Sequence, residues 1–570
     1  MRFHSALILL TCLFASCLNG YSENIVFPPE AGAVDVKEKY GAKGDGVTDD
    51  TDALQRAIFE NKGHNVVLYF PNGTYLVSRS LFVGGDTYSA TPIASKKHSS
   101  DRFMNFQGQS VAGAILKLKD NAEGFGDAKN SKYLLSLYEG PGTGDVMHSY
   151  VRNMTLDVGQ GNPGAVGLRF LSNNTGAIYH VTIKSSDPNG AGYLGLDLRQ
   201  GQQGPELIRD VTVEGFDRGV ETQSTFSIVF ERLTLKNQKE VGFAMTSGRI
   251  TIRGLTSQNS VPVINAGKDA QLALVEGKFS GGSSSNGALV FETSKVYLRD
   301  LEQSGYGAMV ETASKEKRTG DTVTEWVDGG GKGLFTNEIK SLRLPIKESP
   351  EVPWEEDFSK WQIVDHSQPD DTETLQKAID DAAKANKTTL FFTPGEHKYT
   401  ITAPIRVHGS LNRIIGMECV VDVKDPNGVF AGGKAVFNFD GLDSPTIIVE
   451  RFFLLGGWKG PDTAAMFENQ AGKTIVLQSL GHSGSTKNIS PSGEWFIDDM
   501  APGRSGTLKV GPGEMVWARQ YNPESFKVPM IEVTGGQLWI LGLKTEGRAS
   551  HIIAMDGAHV EVIGSVSYQS

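Results

Sequence analysis

Two short stretches near the end of the chain hold the residue types needed to cleave a bond between sugars. Arg519-Gln520-Tyr521-Asn522-Pro523-Glu524 and Leu538-Trp539-Ile540-Leu541-Gly542-Leu543-Lys544-Thr545-Glu546-Gly547 each set one carboxylate close to aromatic side chains, 22 residues apart. In a stack of β-strand coils of about 20 to 25 residues each, that spacing puts Glu524 and Glu546 on one face of neighbouring coils. Adjacent strands lie ~4.8 Å apart. Glycoside hydrolysis with inversion needs two carboxyl groups ~6.5–9.5 Å apart, one donating a proton and one serving the attacking water. Trp517, Tyr521 and Trp539 are the candidate apolar platforms for pyranose rings. The plain alternative is a surface row of ion pairs, because Lys544, Glu546 and Arg548 alternate, unless Gly547 turns Arg548 away.

Such carboxylates need a rigid frame, and the composition fits a β-rich one. The chain has 570 residues, 67 of them glycine, with 21% charged residues and a net charge of −11. Its length predicts two large domains. An acidic surface repels phosphate backbones and anionic lipid, so no nucleic-acid partner is expected, and neutral glycans fit better than anionic ones. Residues 1–20 read as an export signal, with Arg2 before an apolar run from Ala6 to Leu18. A secreted or periplasmic protein follows, with no membrane insertion; Phe14-Ala15-Ser16-Cys17 is a weak lipoprotein-type site with Cys17 as its anchor. Of three cysteines, Cys12 and Cys17 fall in this signal and Cys419 stands alone, so no disulfide framework is expected. Neither Cys/His metal spacing nor a cofactor motif is present, and the expected state is a monomer without metal or cofactor.

One module occurs twice. Asp49-Asp50-Thr51-Asp52-Ala53-Leu54-Gln55-Arg56-Ala57-Ile58 and Asp370-Asp371-Thr372-Glu373-Thr374-Leu375-Gln376-Lys377-Ala378-Ile379 align at a constant offset of 321. Each reads as a short helix capped by its aspartates, followed by a strand ending at Pro71 or Pro394. Between about 110 and 310 runs a series of β-branched triplets, among them Val181-Thr182-Ile183, Val211-Thr212-Val213 and Leu233-Thr234-Leu235. No amphipathic helix separates them. Parallel strands without helical crossovers stack as a coil. The fold expected is therefore all-β: two right-handed parallel β-helices side by side, each with a short N-terminal capping helix. Their ranges are 33–345 and 361–566, with a linker at 346–360 and a polar connector from Glu311 to Gly333. A cleft between two coils is the natural place for a ligand.

The Gly44-Asp45-Gly46-Val47-Thr48-Asp49-Asp50 signature resembles the pectate-lyase-like β-helix superfamily. The doubled module, together with Trp517 to Glu524 and Trp539 to Gly547, resembles glycoside hydrolase family 55, the β-1,3-glucanases built from two β-helices in one chain. The likeness runs from about 33 to 566. It implies a polysaccharide substrate, exo action and inversion, with Glu546 as general acid and Glu524 helping to hold the water. It also implies a glutamine and a serine from the first coil beside that water. Gln200 and Ser224, 24 residues apart, occupy comparable rungs, with Gln203 and Gln223 as alternatives to the glutamine. Two other functions compete: a lyase acting on uronic-acid polymers, and a carbohydrate-binding β-helix without catalysis.

Overall fold

The computed structural model describes residues 23–64, 66–83, 104–138, 146–201, 203–223, 226–292, 295–312, 317–318, 320–328, 340–367, 369–395, 397–456, 465–488, 493–503 and 506–568. The export-signal reading and Ser224 lie outside them. The fold is all-β, a mostly parallel β-solenoid with few helices. Strands up to Val327 form a 14-stranded and a 10-stranded sheet; those from Trp361 onward form a 10-stranded and a 7-stranded sheet. Each pair of sheets encloses its own apolar core, one running from Val34 to Val310, the other from Val364 to Leu543. The β-branched triplets stack in register, with Val181 opposite Val211 and Val211 opposite Leu233, their inward side chains filling the first core. Among the described residues no helix is long and apolar enough to cross a membrane.

The repeated module is visible as two helices, Thr51–Asn61 and Thr372–Lys384, whose apolar faces (Leu54, Ala57, Ile58 and Leu375, Ile379, Ala382) bury in the two cores. The capping expectation holds for one aspartate of each pair. Asp49 and Asp370 accept the backbone N–H of Thr51 and Thr372, the first residue of each helix. Asp50 and Asp371 instead turn back and bury, accepting from Lys43 and Gly44 N–H in one case and from Ser367 and Thr400 N–H in the other. They staple the incoming loop rather than cap the helix.

The Glu311–Gly333 connector is not all connector. Lys317–Arg318 and Thr322–Val327 pair antiparallel with the last strands of the first pair of sheets and cover their edges. That is how a parallel stack ends without an open edge.

Long strands turn a corner through single residues in the left-handed region. In the first half these are Asn153, His180, Asp210, Arg232, Glu276 and Asp300; in the second, Arg451, Ser479, Asp499, Gln520, Gly542 and Gly564. Rung pairing lapses at each corner and resumes after it, as between Tyr179↔Arg209 and Val181↔Val211. Residues just before the corner face the other half of the molecule. They form an ionic row: Arg209 bonds Asp498 (2.7 and 2.8 Å) and Glu231 (2.8 Å), Arg519 bonds Glu231 (2.8 and 3.0 Å), and Arg299 bonds Glu561 (2.8 Å). Beside it lies an apolar row that joins Tyr150, Leu207 and Val229 to Ile448, Phe496 and Trp517. The 340–354 segment threads this seam: Pro345 and Lys347 carbonyls accept from Trp517 and Arg519, and the Val352 carbonyl accepts from Arg413.

Candidate active site

Beyond the corner at Gln520 and Gly542, the strands Met515–Tyr521 and Gln537–Glu546 run on into the two carboxylates. Tyr521 pairs with Leu543, and a parallel bridge sets Glu524 directly against Glu546. The 22-residue spacing therefore does place both on one face of neighbouring rungs. Leu543 points into the second core, so Lys544 and Glu546 project outward from their own coil. The neighbouring rung touches the first half of the chain there: Asn522, one rung from Lys544, donates to Asn174 at 2.8 Å.

Lys544 decides the geometry. Its side chain is only 2% exposed, and its ammonium donates to Glu524 at 2.7 Å and to Glu546 at 3.0 Å. The two carboxylates keep 29% and 22% of their side-chain surface. This is the ion-pair row of the plain alternative in part only. The cation is buried and shared, while Gly547 takes φ +114 and Arg548 is exposed, away from the pair. A Cβ on Gly547 would lie 2.1 Å from the Ser525 carbonyl oxygen, so this turn requires glycine. Two partly exposed carboxylates on neighbouring rungs, held by one buried ammonium, are the residue types that glycoside hydrolysis uses.

The aromatic-platform expectation fails. Trp517, Tyr521 and Trp539 are each 1% exposed. Trp517 stacks on Phe496 at 4.9 Å inside the seam and donates its indole N–H to Pro345. Trp539 lies in the same apolar row with the Arg519 guanidinium 5.4 Å from its ring centre, and Tyr521 fills the second core. None of these rings has a face left for a sugar.

For the water-holding pair, the register Leu198↔Thr222 carries the offset of 24 residues between Gln200 and Ser224. Gln200 is half-buried in the turn after Leu194–Leu198, and among the described residues no hydrogen bond joins it to Glu524. Its turn lies between first-half turns that touch the second half: Gly176 N–H reaches Asp499 (3.2 Å), and Ser227 reaches Gln520 (3.5 Å). The alternatives fare differently. Gln203 is fully buried and spends its amide on Phe170 O (3.0 Å) and Glu206 (2.7 Å), whereas Gln223 is exposed.

Two buried acids near this site have no counterpart in the sequence reading. Burial pushes Asp499 up to about 8 despite the Gly176 N–H, and pushes Glu206 well above the carboxylate range, with the Asp499 charge acting in the same direction. Nothing in the sequence around Asp498-Asp499 separates the first, which bonds Arg209, from the second, which sits at a strand corner.

The first coil carries the family match. A model described as rhamnogalacturonase A/epimerase, pectate lyase-like, matches residues 33–265, and the fold is of that β-helix kind. Similar curated proteins include alginate lyase 7 of Azotobacter vinelandii, 32% identical over 151 residues, or 25% of this chain and 15% of that protein. A glucan 1,3-beta-glucosidase of Cochliobolus carbonum is 49% identical over 43 residues, 8% of this chain and 6% of the other. The chain thus spans less than a fifth of the length of either relative. Among solved structures, the pre-mature bacteriophage phi29 gene product 12 covers 94% of this chain and 73% of its own at 12% identity. Its TM-score of 0.30 is too low to bear on function.

Proposed function

We propose that the protein is an exported glycoside hydrolase acting on β-1,3-glucan, with Glu546 as general acid and Glu524 serving the nucleophilic water together with Gln200 and Ser224. The observation that carries this reading is the pair of carboxylates on neighbouring rungs, sharing Lys544 where the two halves meet. The local identity to a glucan 1,3-beta-glucosidase supports the substrate class. In this reading 33–345 and 361–566 are two right-handed β-helix domains joined by 346–360, and the strands that lead to Glu524 and Glu546 lie beside the seam between them. Exo action with inversion is the first form of the proposal.

A specific observation favours a second form. The two carboxylates stand on adjacent rungs and hold one ammonium between them, at 2.7 and 3.0 Å, an arrangement that also suits the ~5–5.5 Å separation of retaining pairs. Product stereochemistry separates the two forms. With laminarin-type β-1,3-glucan, proton NMR of the first-formed sugar shows the α-anomer for inversion and the β-anomer for retention. An unsaturated product absorbing in the ultraviolet from a uronan, with no reducing sugar released from neutral glucans, would replace both with a lyase.

A further inference from the structure

Two residues beyond Glu524, Phe526 sits in a turn that is pinned from several sides. Ser525 is fully buried, and its N–H donates to the Glu546 carbonyl at 3.0 Å. Its hydroxyl donates to the Val528 carbonyl (2.7 Å), and the Val528 N–H donates back to that hydroxyl (3.2 Å). The next rung is tied to the same turn, since the Ala549 N–H donates to the Ser525 carbonyl at 3.3 Å. From Glu524 to Phe526 the backbone stays out of the left-handed region, so side chains alternate as they do in a strand. Burial follows that alternation: Glu524 is partly exposed, Ser525 buried and Phe526 exposed. Phe526 therefore leaves the chain on the same side as Glu524. One rung on, Gly547 breaks the alternation with φ +114.

At 50% exposure this ring is the most exposed aromatic side chain among the described residues. Two other phenylalanines are exposed, at 37% and 41%, and each is engaged. The Lys62 ammonium stands 4.6 Å from the centre of the Phe59 ring, and Phe358 meets Trp361 edge-on at 6.0 Å. Among the described residues no other ring and no cation packs on Phe526, and it belongs to none of the apolar clusters. A rigid turn thus presents a free aromatic face beside one of the two carboxylates. A pyranose has the matching surface: one face of C–H groups for an aromatic ring to cover, and a rim of hydroxyls left for polar groups. Because a phenylalanine ring makes no hydrogen bonds, it reads the apolar face of the sugar and not its hydroxyl pattern. A uronate there would bring a further negative charge towards Glu524 and Glu546, so the ring suits a neutral sugar.

We propose that Phe526 is the sugar platform of this site: a neutral pyranose ring next to the cleaved bond lies flat on it, at a height fixed by the Ser525–Val528 turn. This inference rests on the hydrolase reading. It gives Phe526 the part that the buried rings of Trp517, Tyr521 and Trp539 cannot play.

The test uses the full-length protein and a short β-1,3-linked gluco-oligosaccharide. In titration calorimetry on the Glu546→Gln protein, adding Phe526→Leu, which keeps apolar bulk but has no flat face, should weaken binding by about tenfold. Phe526→Tyr should keep the parent affinity. With Glu546 intact, Phe526→Leu should raise KM on β-1,3-glucan by a similar factor and change kcat less. Phe526→Trp supplies a second readout, because its emission should shift when the oligosaccharide covers the indole; it decides alone should the leucine variant fail to fold. If the parent hydrolyses the glucan but Phe526→Leu matches its KM and affinity, or the Phe526→Trp emission stays fixed while the sugar binds, Phe526 is a bare surface side chain and this inference is overturned while the hydrolase reading stands. A parent protein that neither binds nor cleaves the glucan overturns the hydrolase reading and this inference with it.

Discussion

At the scale of single residues, Lys544 and Glu546 make separable predictions. Glu546→Gln keeps shape and hydrogen bonding but has no proton to transfer, so β-1,3-glucan hydrolysis should fall by ~10²–10⁴-fold while the fold is kept. An aryl β-glucoside with a good leaving group needs little protonation and should recover part of that loss. Parent-like turnover on glucan would make Glu546 structural. Lys544→Met removes the buried ammonium and leaves two carboxylates stacked on adjacent rungs. Because both acids are partly solvated, the stability loss should be modest, ~1–2 kcal/mol by urea titration, and should shrink as salt is added. Activity should drop along with it, since neither acid is then held in place. The tryptophans belong at this scale too. Alternation along a strand correctly marks Trp517 and Trp539 as pointing away from their own core, but it cannot show what lies opposite. What lies opposite is another coil rather than a sugar.

At the scale of elements, the rung is the unit that sequence reveals. The triplets and the 22-residue spacing of the glutamates follow from chain-local periodicity and correspond to paired strands, while the 321-residue offset corresponds to the two repeated helices. The corners were not legible, because most are not glycine. His180, Asp210, Arg232 and Gln520 take left-handed conformations that their side-chain types do not announce. Gly542 is a corner where glycine is required. It has φ +75, and an added Cβ would lie 2.0 Å from a Val229 methyl across the seam. Gly542→Ala should therefore cost ~2–3 kcal/mol, from left-handed strain plus overpacking. Adding Val229→Ala should return the packing part and leave the strain. If the double variant shows no coupling in a denaturation cycle, the close approach at this corner is not real.

At the scale of the whole molecule, the seam joins residues nearly 300 positions apart, as with Arg519 and Glu231, separated by 288. No local pattern encodes such pairs, which is why the charged row and the linker's path through it escaped the sequence reading. The seam also sets a pH dependence. Asp499 is buried there with its carboxyl raised to about 8, against an ordinary value of 3.8. The folded state thus binds a proton that the unfolded chain releases above about pH 4. That contribution is complete below pH 4 and is lost as pH rises through about 8. Urea titrations should show Asp499→Asn gaining on the parent between pH 5 and pH 8.5. An identical pH slope for the two proteins would mean that Asp499 is not protonated when folded.

The threading of residues 340–354 between the coils has a further consequence. Trp517, Arg519 and Arg413 each hold a backbone carbonyl of this segment, and the Trp354 indole donates to Val26 at 2.8 Å near the beginning of the described chain. A peptide bond cut within it would leave both ends gripped. Limited proteolysis at this segment should give two bands on a denaturing gel that still elute as one species from a sizing column. Expressed as separate fragments, the halves would have to recruit the segment as a shared third surface, so complementation should succeed only when one fragment carries it whole.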